Sequence, residues 1–316
     1  MKLAAFLSPG RDLATSVALA RRAEELGYDS VWVTHGSGRD SFVVLAAYGA
    51  ATNQIGLGNG VVPIYPRHPT VMAQAALTLN EMTRGRFRLG LGVSHRPSME
   101  AMLGLSLTDP LGSIREYVEV LRGAFGTGVD FAGKHYRVKW SMQVSGSLPA
   151  PPIYLATLSS RMLELAGEIA DGAILWLCSP EYVKTIAIPA LERGRARVGK
   201  TLDGFEVVAA VPLAVADDVG AARAAFKSEL TRYLTLPFYR KMLEASGYGQ
   251  ELRDFDRTRE TPEVLADRLG AIGNAETARR YVAEYRRAGV TLPAIRPITF
   301  PDAPWYGRTL DAAAVA

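Results

Sequence analysis

Two of the four histidines in this 316-residue chain come after short apolar runs that have the length of a strand. His35 follows Ser30–Val33, and His95 follows the run at residues 87–91. Histidine has a pKa close to neutrality, which suits it to the transfer of protons. We predict that both rings face one cavity from neighbouring strands and that one of them donates a proton to a substrate. The alternative is that each is an ordinary loop histidine bonded to the backbone.

Glycines lie close to the same chain positions. Gly58 and Gly60 fall in or after one predicted strand, and Gly90 and Gly92 in or after the next. Because glycine has no Cβ, it lets the backbone approach a flat ring closely. Strand ends are also where barrels of strands and helices place their chemistry. Residues 56–95 therefore predict a βαβ unit whose strand ends form a platform for a flat ligand.

The elements that would position these residues alternate along the whole chain. Apolar runs predict eight strands at 2–7, 30–33, 55–61, 87–91, 153–156, 172–176, 205–213 and 292–298. Helical spacing and capping signals predict helices at 12–26, 40–52, 111–125, 159–170, 181–198 and 275–288, one opening at Pro69, and a helical segment over 217–269 with breaks at Pro237, Gly247 and Pro262. Eight such units predict an α/β fold, a (β/α)8 TIM barrel, as a single domain over 1–316. We place insertions at 93–110, 127–150 and 236–272, with a small hairpin at 131–136.

The composition argues against several other classes of protein. Hydrophobic residues make up 48% and charged residues 22%, which is typical of a globular chain. No apolar run reaches the roughly 18–20 residues of a membrane helix, and the N-terminus predicts a strand, not a signal peptide. The net charge is +4 with no block of lysines and arginines, so we expect no nucleic-acid partner and no membrane partner. The single cysteine, Cys178, fits a reducing compartment, and we predict a cytoplasmic protein.

Sequence signals for other catalytic chemistries are weak. The histidines lack the spacing of zinc ligands, so we predict no metal site. A Gly-x-Ser-x-Gly nucleophile motif does not occur. Gly58-x-Gly60 lacks the third glycine of a dinucleotide-binding turn, and Pro63 and Pro66 oppose an immediate helix. These observations predict that a bound organic cofactor supplies the chemistry.

Two long blocks of sequence resemble the bacterial luciferase-like flavin enzymes. The first spans 57–92 and includes Arg67-His68-Pro69 and the run at 79–86. The second spans 152–156 and 161–173. The chain is most similar to the branch that uses the deazaflavin coenzyme F420, which includes methylenetetrahydromethanopterin reductase. The resemblance implies a bacterial luciferase-like barrel.

The resemblance also implies positions for the cofactor. In that branch the third strand ends in a bulge whose cis peptide backs the tricyclic ring, and the matching bond joins Gly60 to Val61. The loop after the fifth strand holds the cofactor phosphate. The implied cofactor-binding residues are Asn59, Gly60, Val61, Gly92, Ser94, Ala156, Thr157, Leu158, Ser159 and Trp176. Relatives often have Asp-His after the second strand and some have a carboxylate after the fourth, where this chain has Thr34-His35 and His95.

We therefore expect an F420-dependent oxidoreductase that transfers a hydride between the deazaflavin C5 and an unidentified small organic substrate. One alternative is an FMN-dependent luciferase-like monooxygenase that uses reduced flavin and O2. A second is a non-catalytic flavin-binding barrel. Relatives often pair through helices of the early half of the barrel, so we also expect a homodimer. Its candidate contacts are the helix carrying Met72 and Leu79 and the helix at 111–125.

Overall fold

Eight parallel strands form a closed barrel in the computed structural model, which describes residues 2–10, 12–36, 38–142 and 148–314. The barrel strands are β1 (Ala4–Phe6), β2 (Ser30–Val33), β3 (Gly56–Asn59), β4 (Phe87–Gly92), β5 (Ile153–Ala156), β6 (Gly172–Leu175), β7 (Glu206–Val215) and β8 (Leu292–Pro297). Each pairs with the next, and β8 pairs with β1 to close the barrel. This confirms the predicted (β/α)8 TIM barrel. Because all eight strands are parallel, their carboxyl ends meet on one face.

The helices surround this barrel close to the predicted positions. They are α1 (Leu13–Glu25), α2 (Ser41–Ala51), α3 (Pro69–Met82), α4 (Pro110–Phe125), α5 (Ser160–Ile169), α6 (Ile188–Arg197, entered through Pro180–Tyr182 and a π-helical turn at Val183–Ala187), α7 (Val219–Tyr233), α8 (Pro237–Ala245), α9 (Gly249–Thr258), α10 (Glu263–Leu269), α11 (Ala275–Arg287) and α12 (Tyr306–Ala314). Side chains of Asp12, Asp40 and Ser159 accept hydrogen bonds from first-turn N–H groups and so fix where three of these helices begin. The predicted breaks at Pro237, Gly247 and Pro262 coincide with the boundaries of α7 to α10.

Several elements differ from the sequence prediction or were absent from it. A hairpin of Val129–Ala132 and Arg137–Trp140 takes the place predicted for a hairpin at 131–136 and is longer. The helix α12, a π-helical segment at Pro97–Met102 and a short strand at Ala271–Gly273 were not predicted. The third strand ends at Asn59, earlier than predicted, and the chain pairs with β4 again only at Val62–Pro63. Residues 143–147 of the predicted 127–150 insertion lie outside the described residues.

Aromatic side chains fill the inside of the barrel. Phe6 and Trp32 lie with ring centroids 6.1 Å apart, and Trp32 contacts Tyr154 edge-on at 5.3 Å. A Cβ built on Gly58 would collide with the Trp32 ring, so this glycine is required by packing inside the barrel. Side chains therefore fill the interior of the barrel, and a large cavity lies above the carboxyl ends of the strands.

Candidate active site

A cavity of about 1100 Å³ opens at the carboxyl face of the barrel. All but one of the predicted site residues line it: His35, Gly60, Val61, Gly92, Ser94, His95, Ala156, Thr157, Leu158, Ser159 and Trp176. The exception is Asn59, which is fully buried and turned away from the cavity. Its amide Nδ2 instead donates a hydrogen bond to Ser41 Oγ at 2.7 Å.

The cavity floor is built of backbone and small side chains. The peptide bond between Gly60 and Val61 is cis, as the resemblance implied. A Cβ on Gly60 would meet the Phe6 ring, so the bulge lies directly on the aromatic interior of the barrel. A Cβ on Gly92 would come within 2.8 Å of Val61 Cγ2 and 3.3 Å of Ala156 Cβ, so Gly92 lets these two residues pack closely across β4. Because few side-chain atoms project from this floor, a flat ring can lie on it.

His35 lines one side of the cavity and is held through its Nδ1 atom. The Ser41 N–H donates to Nδ1 at 3.2 Å, and Ser41 Oγ lies 3.0 Å from the same nitrogen. Burial is the largest cause that lowers the pKa of His35; Asp40 opposes this effect and Arg67 adds to it. His35 is therefore neutral at pH 7.

His95 also lines the cavity, but its surroundings are aromatic. Its ring centroid lies 5.2 Å from that of Tyr239 and 5.8 Å from that of Phe238. Its Nδ1 is buried and has no hydrogen-bond partner among the described residues. Burial lowers the pKa of His95 too, so this ring is also neutral at pH 7.

The two histidines share the cavity, as predicted, but they do not follow neighbouring strands. They follow β2 and β4, and β3 lies between these strands because the barrel is built in chain order. Each histidine consequently approaches the cavity from a different side of the Gly60–Val61 bulge.

The predicted phosphate loop has some of its polar groups engaged, whereas Thr157 Oγ1 is buried with no hydrogen-bond partner among the described residues. The Thr157 N–H donates to Ile174 O at 3.1 Å, and Leu158 O accepts from the Tyr182 hydroxyl at 2.8 Å. The Ser159 hydroxyl caps α5 by accepting from Met162 N–H at 3.3 Å. The next residues, Ser160 and Arg161, line the cavity at the first turn of α5, where backbone N–H groups have no helical acceptor.

Sequence reasoning missed the wall that the inserted helices form. The segment α7–α8 contributes Glu229, Arg232, Tyr233, Phe238, Tyr239 and Lys241 to the cavity. Arg232 and Lys241 are exposed at its mouth, as is Arg161. The helical periodicity of 217–269 was visible in the sequence, but periodicity does not say over which face of the barrel an insertion folds.

Trp176 joins this wall to the barrel. Its Nε1 donates to the Tyr233 hydroxyl at 3.1 Å, and its ring meets Phe6 edge-on at 5.1 Å. The guanidinium of Arg296 lies 5.3 Å from the centre of the Trp176 ring, and Arg296 Nη1 pairs with Glu229 at 2.7 Å. Burial opposes the charge of Arg296, but Glu229 and its other partners together raise the pKa of this guanidinium.

The described part of the chain offers neither a metal site nor a membrane-spanning helix. It contains no group of three or more His, Cys, Asp or Glu side chains placed to hold a metal ion. None of its helices combines the length and the apolar character that crossing a bilayer requires.

The sequence profile of the luciferase-like monooxygenase family matches residues 1–292. The chain belongs to the luciferase-like monooxygenase family. Among its luciferase-like relatives, a Mycobacterium tuberculosis protein provisionally named a coenzyme F420-dependent oxidoreductase is 30% identical over 309 residues, 88% of this chain and 89% of that protein. The 5,10-methylenetetrahydromethanopterin reductase of Methanolobus tindarius is 31% identical over 215 residues, 65% of this chain and 63% of that reductase. These relatives confirm the resemblance predicted from the two sequence blocks.

Solved structures share the luciferase-like fold over the whole chain. An F420-dependent secondary alcohol dehydrogenase in complex with an F420-acetone adduct has a TM-score of 0.82 at 20% identity, covering 100% of this chain and 98% of that one. The oxygenating constituent of 3,6-diketocamphane monooxygenase from Pseudomonas putida, in complex with FMN, has a TM-score of 0.75 at 18% identity, covering 99% and 97%. At these identities the likeness shows the fold alone.

Proposed function

We propose that this luciferase-like protein is an F420-dependent oxidoreductase that transfers a hydride between the deazaflavin C5 and a small organic substrate. One structural observation carries the proposal: a floor of backbone and small side chains lies in the same cavity as two neutral histidines. The floor fits a flat ring, and the histidines supply groups that handle the oxygen and proton of a substrate. The name of the Mycobacterium tuberculosis relative, a coenzyme F420-dependent oxidoreductase, supports the deazaflavin as the ring.

The residues of the cavity fit such a cofactor in two places. Val61, Gly92 and Ala156 present the floor on which a tricyclic ring would lie. Ser160 and Arg161 offer unpaired backbone N–H groups and a cation to a phosphate at the start of α5. When bound there, the deazaflavin supplies a carbon that accepts or releases a hydride.

The remaining chemistry belongs to the side chains above the floor. The rings of Phe238 and Tyr239 pack against His95 and make this part of the cavity apolar. Neutral His95 can accept a proton from an alcohol and return it in the reverse direction. The apolar wall suits a small organic substrate, in keeping with the size of the cavity.

A binding comparison tests the proposal directly. The purified chain is titrated separately with oxidised F420 and with FMN, and quenching of cofactor fluorescence is recorded. We expect F420 to bind at least tenfold more tightly than FMN. The variant Arg161→Ala removes a cation that lines the cavity, and we expect it to weaken F420 binding.

Two results would contradict the proposal. Preference for FMN, together with oxygen consumption when reduced FMN is added, would indicate the monooxygenase. Failure to bind either cofactor would indicate a non-catalytic barrel.

A further inference from the structure

The hydrogen bonds of Ser41 determine which ring nitrogen of His35 carries a proton. Ser41 is the first residue of α2, so its backbone N–H has no acceptor within the helix. It donates to Nδ1 of His35 at 3.2 Å. A peptide N–H can only donate, so Nδ1 must present its lone pair. The neutral ring therefore carries its proton on Nε2.

Asn59 strengthens the same arrangement from inside the barrel. Its Nδ2 donates to Ser41 Oγ at 2.7 Å, which leaves the Ser41 hydroxyl hydrogen free to point at His35 Nδ1, 3.0 Å away. Ser41 and Asn59 are both fully buried. The side chains of Asn59 and Ser41 thus form a rigid support behind the histidine.

The surrounding charges do not favour an imidazolium. His35 Nδ1 faces the N-terminus of α2, whose partial positive charge disfavours a cation. Asp40 is the nearby carboxylate, but it accepts from Phe42 and Val43 N–H groups as the cap of α2 and is paired with Arg67. If Nδ1 were protonated, its N–H would also face the Ser41 N–H, which would repel it, and the Ser41 N–H would lose its acceptor.

We propose that His35 is a permanent hydrogen-bond donor to the reacting oxygen and not a proton carrier, and that Ser41 and Asn59 are the positioning residues that keep it so. The inference rests on the proposed function, because it takes this cavity to be where the substrate reacts.

The roles of the two histidines then differ in a carbonyl reduction. A bound reduced deazaflavin would supply a hydride to the carbonyl carbon, and the electrons of the C=O π bond would move to oxygen. His35 Nε2–H donates a hydrogen bond to that oxygen and keeps its proton. The proton that completes the alcohol comes from water, and neutral His95 can take it up on its free ring nitrogen and pass it to the oxygen, which returns the ring to its neutral form.

Nitrogen NMR of the folded chain, labelled with ¹⁵N-histidine and free of cofactor, tests the tautomer without any reaction. The His35 signals are assigned by their loss in His35→Gln. We expect His35 to hold its proton on Nε2 and to be neutral at pH 7. A proton on Nδ1, or a charged His35 at pH 7, would overturn the proposal. Neither result depends on whether F420 binds, so this test fails independently of the proposed function.

A pair of substitutions at Ser41 separates the two donors. Ser41→Pro removes both the N–H and the hydroxyl at a helix position that tolerates proline, and Asp40, at φ −62° and ψ 121°, has the conformation that precedes one. Ser41→Ala removes the hydroxyl alone. We expect Ser41→Ala to keep the Nε2–H tautomer and Ser41→Pro to show a mixture with a raised His35 pKa. A folded Ser41→Pro variant with an unchanged tautomer would overturn the proposal; if that variant does not fold, the wild-type and Ser41→Ala spectra decide.

Turnover by the F420-loaded enzyme distinguishes a hydrogen-bond donor from a proton carrier at each histidine. Glutamine keeps an N–H donor but cannot carry a proton, whereas leucine does neither. At His35 we expect the leucine variant to lose about 10²–10³-fold in turnover and the glutamine variant to recover much of that loss. At His95 we expect glutamine and leucine to be equally poor. Equal losses for the two His35 variants would contradict the donor role.

Discussion

At the scale of single residues, the site depends on two neutral histidines whose environments differ. His35 is supported through Ser41, whereas His95 is surrounded by the rings of Phe238 and Tyr239. The histidines themselves were visible in the sequence as the residues that follow two strands. Their different supports were not, because Ser41 and Tyr239 lie on other elements and reach the site only through the fold.

Both histidines make stability depend on pH. Burial lowers the pKa of each below the ordinary value of 6.5, so the unfolded chain binds more protons than the folded one near and below that value. We expect the melting temperature to fall as the pH drops from 7 towards 5. The double variant His35→Gln/His95→Gln should lose part of this dependence in melts recorded from pH 5 to pH 8. An identical pH dependence in wild type and double variant would contradict the lowered pKa values.

Gly58 is required for packing inside the barrel and not for ligand binding. The sequence suggested that glycines here make room for a flat ligand, but a Cβ on Gly58 would collide with Trp32 inside the barrel. We expect Gly58→Ala to destabilise the fold by about 1–3 kcal/mol, the usual cost of overpacking a core. Urea unfolding measures the change. The matched control is Gly307→Ala, where a Cβ meets nothing within 4 Å and α12 should be unharmed or slightly stabilised.

At the scale of elements, the loop before α5 and the first turn of α5 together form the part of the site proposed to hold an anion. The implied phosphate residues, Ala156 to Ser159, all line the cavity, and Thr157 Oγ1 is buried without a hydrogen-bond partner among the described residues. Hydrogen bonds to Ile174 and Tyr182 engage other groups of this loop, and such tertiary partners cannot be read from a local motif. The first turn of α5 adds Ser160 and Arg161, which also line the cavity.

Arg161 should therefore matter for cofactor affinity more than for chemistry. A charge-assisted hydrogen bond contributes about 1.5–3 kcal/mol, so we expect Arg161→Ala to weaken F420 binding by roughly 10- to 100-fold. The turnover of the F420-saturated enzyme should change little. Arg279→Ala removes an exposed arginine on α11, which does not line the cavity, and should leave the affinity unaltered. Equal affinities of wild type and Arg161→Ala would remove Arg161 from the anion site.

The outer faces of α2 and α3 suggest how two copies would meet. The sequence named two helices as candidate contacts, the one carrying Met72 and Leu79, which is α3, and the one at 111–125. Met72 and Leu79 themselves are buried, so any contact through α3 uses its other face. The exposed apolar residues are Val43 on α2 and Val71 and Met82 on α3, at 64%, 50% and 49% exposure. The whole of α2 also lacks a charged residue, which is unusual for a helix with a solvated face. We therefore propose that the homodimer forms through α2 and α3.

Light scattering tests this proposal at micromolar concentration. We expect a mass of twice 34.1 kDa for the wild type and the monomer mass for Val43→Lys, because a lysine would bury a charge in an apolar contact. Val198→Lys changes a residue that is 44% exposed elsewhere on the surface and should remain a dimer. A wild-type mass of 34.1 kDa would refute the dimer.

At the scale of the whole molecule, the sequence was sufficient to predict the barrel but not the enclosure of its mouth. The sequence contains eight apolar runs, which predict the strands, and breaks at Pro237, Gly247 and Pro262, which predict helix ends. Both signals depend only on residues that are close together in the chain. The folding of α7 and α8 over the strand ends, which brings Tyr233 and Tyr239 to the cavity, depends on long-range packing. The cytoplasmic location stays a prediction from the single cysteine.

The central claim is that this cavity passes a hydride between a deazaflavin and a substrate carbon. The most direct measurement mixes the enzyme with reduced F420 deuterated at C5 and a panel of ketones, enones and imines, and locates deuterium in the products by mass spectrometry. We expect one deuterium on the carbon that was reduced, transferred without exchange with water. Products without deuterium, or products that carry oxygen from ¹⁸O2, would contradict it.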